Sequence, residues 1–144
     1  MTFSEKYPEV YNAARKTREW INWIIDNDPE GYPEDAEGLC AIASAYLHRE
    51  LQEVGVHSKI VRVDLGYGEH CFVETNKLVV DVTATQFGSQ YNEIEIRPRS
   101  KKTREYEPWQ LRGRKVFTGL RPFVQWCTST GWPFEQNPSK FIKA

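Results

Sequence analysis

Two stretches in the first part of the chain repeat apolar residues at intervals of three and four positions. The first covers residues 9–26 and follows Pro8, a residue that suits the first turn of a helix. The second covers residues 39–54 and precedes Gly55, which suits the position just beyond a helix end. The spacing therefore predicts two amphipathic helices, joined by a loop rich in Gly, Pro and acidic residues.

Beyond Gly55 the apolar period shortens, and the chain breaks into short runs separated by turn residues. Three of these runs follow one another closely, and a weaker pattern continues towards the C-terminus. A final apolar stretch has Pro122 near its start and Gly131 after its end, as a short helix would. The pattern predicts strands over residues 58–65, 69–74, 77–85, 93–97 and 115–118, and a helix over 121–130.

Length and composition are those of one globular domain that covers residues 1–144. The sequence opens with no apolar leader, and no run approaches about eighteen apolar residues, the length that a membrane-spanning helix needs. We therefore expect a cytoplasmic protein with no membrane segment. The three cysteines, Cys40, Cys71 and Cys127, include no CxxC pair, which favours reduced thiols over a disulfide framework.

Cys40 is the first candidate for chemistry because it lies at the start of the second predicted helix. Free backbone N–H groups and the positive end of the helix dipole favour a thiolate there. A cysteine at a helix start is, on its own, more often a small buried apolar residue. The case for a nucleophile therefore depends on a base and on a group that orients the base.

The predicted hairpin supplies both groups. If Thr75 and Asn76 form a two-residue turn, His70 lies directly opposite Asp81 and their side chains share one face. A turn at Asn76 and Lys77 keeps the two residues on the same face as diagonal neighbours, whereas a three-residue loop would separate them. Asp81 follows an apolar run and needs a partner if it is buried, and an imidazole is a suitable one. Together the three residues predict a Cys40–His70–Asp81 triad.

These residues lie in motifs that resemble a known superfamily. The segments are GLCAIASAYL over 38–47, HCFVE over 70–74 and VVDVTA over 79–84. Their order and spacing resemble the transglutaminase-like branch of the papain-like cysteine enzymes. The resemblance covers residues 36–87, about a third of the chain.

The resemblance implies an α+β, papain-like fold in which N-terminal helices, including the nucleophile helix, pack on an antiparallel sheet. It implies that Cys40 is the nucleophile, His70 the general base and then acid, and Asp81 the residue that orients His70. The expected activity is that of a thiol-dependent hydrolase or acyltransferase, such as a cysteine peptidase or protein glutamine deamidase. It would act on an amide of a protein or peptide through a thioester, without a cofactor or metal. The short hairpin argues against a large animal-type transglutaminase.

An oxyanion hole would complete such a site. The backbone N–H of Cys40 is the first candidate donor, because the helix start presents it. The second donor stays open at this point, with Gln86, Trp23 and Tyr32 as the side chains considered.

A zinc site is the first alternative to the triad. Zinc accepts the ligand types of Cys40, His70 and Cys71, but adjacent strand residues point to opposite faces, so we expect no metal site. Cys71 should then be buried on the face away from the cleft, and Cys127 should be a helix residue without chemistry.

The charges are unevenly distributed along the chain. Residues 1–96 carry eight Lys and Arg against seventeen Asp and Glu, whereas 97–115 carry eight basic and two acidic residues. The simplest interpretation of 97–115 is a solvated, mobile loop. Its cations, with Tyr106 and Trp109, could also hold the backbone and bases of a nucleic acid. We favour instead an acidic protein or peptide as the partner of the basic residues. The alternative function is therefore a non-catalytic binding or inhibitor module that uses this segment.

Overall fold

The computed structural model describes residues 2–28, 31, 34 and 36–130. Within these residues the protein is an α+β structure with four helices and a five-stranded antiparallel sheet. The helices are α1 (Phe3–Lys6), α2 (Pro8–Asn27), α3 (Cys40–Glu53) and α4 (Leu120–Ser129). The strands are β1 (Ser58–Asp64), β2 (Glu69–Thr75), β3 (Leu78–Asp81), β4 (Glu95–Pro98) and β5 (Arg114–Phe117).

Most predicted elements are confirmed, with shifted ends. The two long helices agree with α2 and α3, the final predicted helix agrees with α4, and the short α1 was not predicted. The strand predicted over 77–85 is wrong in its second half, because β3 ends at Asp81. There the carboxylate accepts a hydrogen bond from the Thr83 N–H, an Asx turn that leads the chain into a 3-10 turn over Ala84–Phe87.

The strands lie in the order β4-β3-β2-β1-β5, and each pairs antiparallel with its neighbours. Helix α3 packs across β1 and β2, with α2 and α4 beside it. The apolar core between helices and sheet includes Ile60, Cys71, Val73 and Val80. Val10, Ile21 and Ile25 supply the buried stripe of α2 that the three-and-four spacing predicted.

The opposite face of the sheet is also covered. Strand alternation points Val61, Phe72 and Val79 to this side, where they pack against Tyr91 and Trp109. Trp109 belongs to the segment 97–115, so the chain that follows β4 folds back over the sheet. The sheet therefore lies between a helical layer and a layer of extended chain and short turns.

The solvated, mobile loop expected at 97–115 is wrong. The segment contains the end of β4, 3-10 turns over Thr103–Glu105 and Glu107–Trp109, and the start of β5. Trp109 is completely buried. Its ring fills the second apolar core, which lies on the face of the sheet opposite the helices. Trp109 is therefore not available to stack on a nucleic acid base.

None of the helices in the described part of the chain combines the length and the apolar character that crossing a membrane requires.

Candidate active site

The hairpin of β2 and β3 sets the position of the histidine and the aspartate. Val73 pairs with Val80 and Glu74 with Val79, which puts the turn at Asn76 and Lys77. The first predicted register, with a turn at Thr75 and Asn76, is therefore wrong, and the second register considered is confirmed. It leaves His70 and Asp81 on one face as diagonal neighbours, and His70 Nε2 donates to Asp81 Oδ2 at 2.7 Å.

Asp81 is a buried carboxylate whose two oxygens both accept hydrogen bonds. Oδ2 accepts from His70 and from Trp109 Nε1 at 2.9 Å, and Oδ1 accepts from the Thr83 N–H at 2.9 Å. Burial alone would raise the pKa of Asp81, but the charge of His70 and these donors outweigh burial and lower it. Asp81 is therefore held ionised beside the imidazole.

His70 is completely buried, and its two ring nitrogens have different neighbours. Nε2 faces Asp81, whereas Nδ1 lies 3.2 Å from Gln86 Nε2. The Phe87 ring meets the imidazole edge-on, with 4.7 Å between centroids. Burial lowers the pKa of His70, but the Asp81 carboxylate and the Cys40 sulfur more than compensate and raise it to about 10. The imidazole is therefore cationic at neutral pH in the resting protein.

Cys40 is the first residue of α3, and only 8% of it is exposed. Its side chain interacts with both the Cys71 thiol and the His70 ring. The hydrogen bond with Cys71 lowers the pKa of Cys40 most, burial opposes it, and the hydrogen bond and charge of His70 lower it further. The result is a pKa well below the usual thiol value, and the sulfur and imidazole form a thiolate–imidazolium pair.

Cys71 lies closer to the site than the sequence predicted. It is buried, as expected, and strand alternation points it to the helical side of the sheet, away from His70. From this side the Cys71 thiol still interacts with Cys40 at the start of α3. Burial, followed by the contact with Cys40, raises the pKa of Cys71 well above its usual value. Cys71 therefore stays protonated and donates its S–H to the Cys40 thiolate.

Cys127 is buried in α4 and belongs to the same core as Cys40. Burial, with the nearby charges of Cys40 and Glu69, raises the pKa of Cys127 to about 12. All three cysteines are free thiols, and the site lowers the pKa of Cys40 alone among them.

The turn that leads into α3 positions Cys40. The Leu39 N–H donates to the Ala36 carbonyl at 3.1 Å, and Gly38 in this turn has a φ of 88°. A positive φ is unstrained at glycine, so Gly38 suits this entry to the helix. Leu39 occupies the N-cap position and gives α3 no side-chain cap. The N–H groups of the first helical turn therefore keep capacity to bind a negative charge beside Cys40.

The three side chains considered as second oxyanion donors differ in position. Gln86 is next to His70, and its amide donates to the Thr83 carbonyl at 3.1 Å. Trp23 is 61% exposed on α2, and none of the described contacts joins it to the triad. Tyr32 lies outside the described residues. Of the described candidates, Gln86 is therefore the one within reach of the reacting groups.

Comparison with known proteins gives no match. No protein-family model, curated protein or solved structure is significantly similar to this chain. The chemistry of the site has to follow from the contacts of its own residues.

No group of three or more His, Cys, Asp or Glu side chains within the described residues is arranged to hold a metal ion. The site instead combines an acidic thiol, a cationic imidazole and a fixed carboxylate. Such a set can attack an electrophilic carbon and move a proton to or from a leaving group.

Trp109 is the functional residue that sequence reasoning missed. The sequence makes it a candidate for contact with nucleic acid bases in the segment 97–115, but its indole N–H bonds the Asp81 carboxylate. A bulky aromatic next to Pro108 in an otherwise charged segment was the available signal, because such a side chain is commonly buried.

Proposed function

We propose that this protein is a thiol-dependent hydrolase or acyltransferase that acts on an amide bond. The observation that carries the proposal is the double engagement of His70. Its Nε2 is fixed by Asp81 at 2.7 Å, while its ring interacts with the Cys40 sulfur. A nucleophile, a base and an orienting carboxylate are thus in direct contact in the order that thiol catalysis requires.

In the first half-reaction the Cys40 thiolate attacks the carbonyl carbon of the amide, and a carbon–sulfur bond forms. The carbonyl electrons move to oxygen, where the Cys40 N–H and the start of α3 can stabilise the negative charge. The imidazolium of His70 then gives its proton to the leaving nitrogen, and the carbon–nitrogen bond breaks. The products are a free amine or ammonia and a thioester on Cys40.

The second half-reaction uses the same residues in reverse. Neutral His70 takes a proton from water, and the resulting nucleophile attacks the thioester carbon. Cys40 leaves as a thiolate beside the imidazolium, which restores the resting pair. An amine in place of water would give transfer instead of hydrolysis. Peptidase, glutamine deamidase and acyltransferase chemistry therefore share Cys40, His70 and Asp81.

We assign the fold, on the same grounds, to the transglutaminase-like branch of the papain-like superfamily. Support comes from the chain order Cys, His, Asp and from the nucleophile at the start of a helix packed on an antiparallel sheet. The protein or peptide substrate follows from that assignment. Free cysteines favour a reducing compartment, in keeping with a cytoplasmic location.

Trapping the acyl-enzyme tests the proposal. A Cys40 thioester formed on incubation with a lysate should be detectable by intact mass, and the added mass identifies the acyl group. Hydroxylamine should remove the adduct, because it cleaves thioesters. Cys40→Ser should form no hydroxylamine-sensitive thioester, and Cys127→Ser is the matched control that should still form it. Wild-type protein without any acyl adduct after exposure to peptide, protein and glutamine substrates would contradict the proposal.

A further inference from the structure

A cavity of about 140 Å³ opens at the end of β2 that is remote from His70. Its floor is Glu74, a buried residue on the same face of β2 as His70 and four positions further along. The rise of a strand puts the two residues about 13 Å apart. Lys59 and Arg99 line the exposed rim, so solvent reaches the cavity.

Positive charge dominates the lining. Arg99, Arg104, Arg114 and Lys59 face one carboxylate, that of Glu74, so that three positive charges are unbalanced. Lys59 lies directly across from Glu74 in the β1–β2 register, and it forms an ion pair with none of the described residues. An excess of positive charge in a small cavity attracts anions.

Each of the three guanidinium nitrogens of Arg114 is hydrogen-bonded within the fold. Its Nη1 donates to Glu74 at 2.9 Å, its Nε to the Gln110 carbonyl at 2.8 Å and its Nη2 to the Trp109 carbonyl at 2.7 Å. These short contacts fix the end of the segment 97–115 on the sheet. The ion pair with Arg114 therefore gives Glu74 a structural role. It does not account for the presence of Arg99, Arg104 and Lys59 in the same cavity.

Arg99 and Arg104 keep unused donors. Arg104 Nη2 reaches Glu74 at 3.3 Å, while its Nε is buried and has no hydrogen-bond partner in the described part of the chain. Arg99 Nη1 lies 3.4 Å from each of the Thr75 and Asn76 carbonyls, and its Nε lies 3.6 Å from Glu74. Contacts of this length are weak, and a buried N–H without an acceptor is unfavourable.

We propose that this cavity is a binding site for a phosphoryl dianion, held by Arg99, Arg104 and Lys59 above Glu74. A bound carboxylate would bring only two oxygens and one negative charge, and the Glu74 side chain already supplies one carboxylate to these cations. A phosphoryl group has three free oxygens and up to two charges, which suits two planar guanidinium groups and an ammonium. The site does not depend on the thiol chemistry, since none of its residues belongs to the triad.

Calorimetric titration with inorganic phosphate at constant ionic strength tests the site. Wild-type protein should bind phosphate saturably. Arg104→Gln should weaken binding by about tenfold or more, because a hydrogen bond between charged groups is lost. Lys59→Gln removes an exposed rim charge and should also weaken binding, with little effect on folding. Lys102→Gln is the matched control, since it removes the same charge from an exposed position outside the cavity.

Further binding measurements identify the source of the phosphoryl group and define the results that would overturn the site. Tighter binding of O-phosphoserine or of adenosine monophosphate than of inorganic phosphate supports the site and identifies the carrier. Tighter binding of succinate than of phosphate would contradict the choice of a phosphoryl group. Absence of saturable binding, or equal weakening by Lys102→Gln and Arg104→Gln, would overturn the site. Cys40→Ser should bind phosphate as wild type does, whatever the outcome for catalysis.

Discussion

Trp109 donates its indole N–H to Oδ2 of Asp81, the same oxygen that accepts the hydrogen bond from His70. Twenty-eight positions separate the two residues in sequence. The bond ties the segment 97–115 to the orienting carboxylate and keeps water from that side of it. Trp109 is therefore a positioning residue in this account: it acts on Cys40 through Asp81 and His70.

Trp109→Phe keeps the aromatic ring in the second core and removes the donor. We expect a loss of about 1–3 kcal/mol of unfolding free energy, because the buried Asp81 oxygen loses one of its two partners. The pH profile of Cys40 alkylation should also shift to higher pH, since Asp81 holds His70 less firmly. Denaturant unfolding and alkylation with iodoacetamide measure the two effects. Trp23→Phe, at an exposed tryptophan, is the control that should leave both unchanged.

Cys71 should help to keep Cys40 ionised. Its S–H is the largest cause of the lowered pKa of Cys40, so Cys71→Ala should raise that pKa and slow alkylation at neutral pH. Cys71→Ser keeps a donor at nearly the same place and should retain most of the wild-type rate. Equal rates for the alanine and serine variants would show that the Cys71 hydrogen bond does not control the thiolate.

The pH dependence of stability should reveal the thiolate–imidazolium pair. The folded pKa of His70, about 10, lies above its ordinary 6.5, so its contribution is complete below pH 6.5 and is lost as the pH rises towards 10. The folded pKa of Cys40 lies below its ordinary 9.0, so its contribution is complete above pH 9 and is lost as the pH falls through the folded value. At a pH where Cys40 is ionised in the folded state but not in the unfolded state, the folded state holds the His70 proton and the unfolded state holds the Cys40 proton. The two opposite trends in stability then cancel.

Wild-type protein should therefore keep nearly constant stability from neutral pH to about pH 9 and lose it above that. Cys40→Ser removes the compensating group, and its stability should already fall as the pH rises above 6.5, because folded His70 alone holds a proton. Denaturant midpoints across this range measure the difference. Parallel curves for the two proteins would contradict the ion pair.

Gln86 should matter for acylation more than for the resting thiol. Two N–H groups cannot donate to each other, so its contact with His70 Nδ1 is a hydrogen bond only while that nitrogen is unprotonated. Beside the imidazolium of the resting pair, the amide is available to a developing oxyanion. Gln86→Ala should slow acylation of Cys40 by p-nitrophenyl acetate by about 10²-fold.

Alkylation of the same variant by iodoacetamide forms no oxyanion, so its rate should change little. Gln90→Ala, an exposed glutamine on the following turn, is the control. If both reactions of Gln86→Ala slow equally, Gln86 positions His70 and is not an oxyanion donor.

The sequence was sufficient to predict the parts of the site that depend on local geometry. Strand alternation keeps His70 and Asp81 on one face in either two-residue register, so their pairing survived an error of one position in the turn. The start of α3 followed to within one residue from helical spacing and the glycine before it, because the predicted helix began at Leu39 and α3 begins at Cys40. Both inferences use only neighbours along the chain.

Contacts made across the fold could not be predicted in this way. Strand alternation alone separates Cys71 from His70, yet Cys40, the first residue of α3, interacts with both. Trp109 meets Asp81 only because the chain after β4 folds back over the second face. The pairing of Glu74 with arginines of the segment 97–115 has the same origin. Each of these contacts depends on how distant elements pack against one another, which the spacing of apolar residues along the sequence does not predict.

The most direct test of the central claim is the rate of iodoacetamide labelling of each cysteine against pH, read by peptide mass. A small reagent is needed because only 8% of Cys40 is exposed. We predict that Cys40 reacts much faster than Cys71 and Cys127 at neutral pH, and that His70→Ala slows it strongly while His57→Ala does not. Equal, slow labelling of all three cysteines, or an unchanged Cys40 rate in His70→Ala, would contradict the triad.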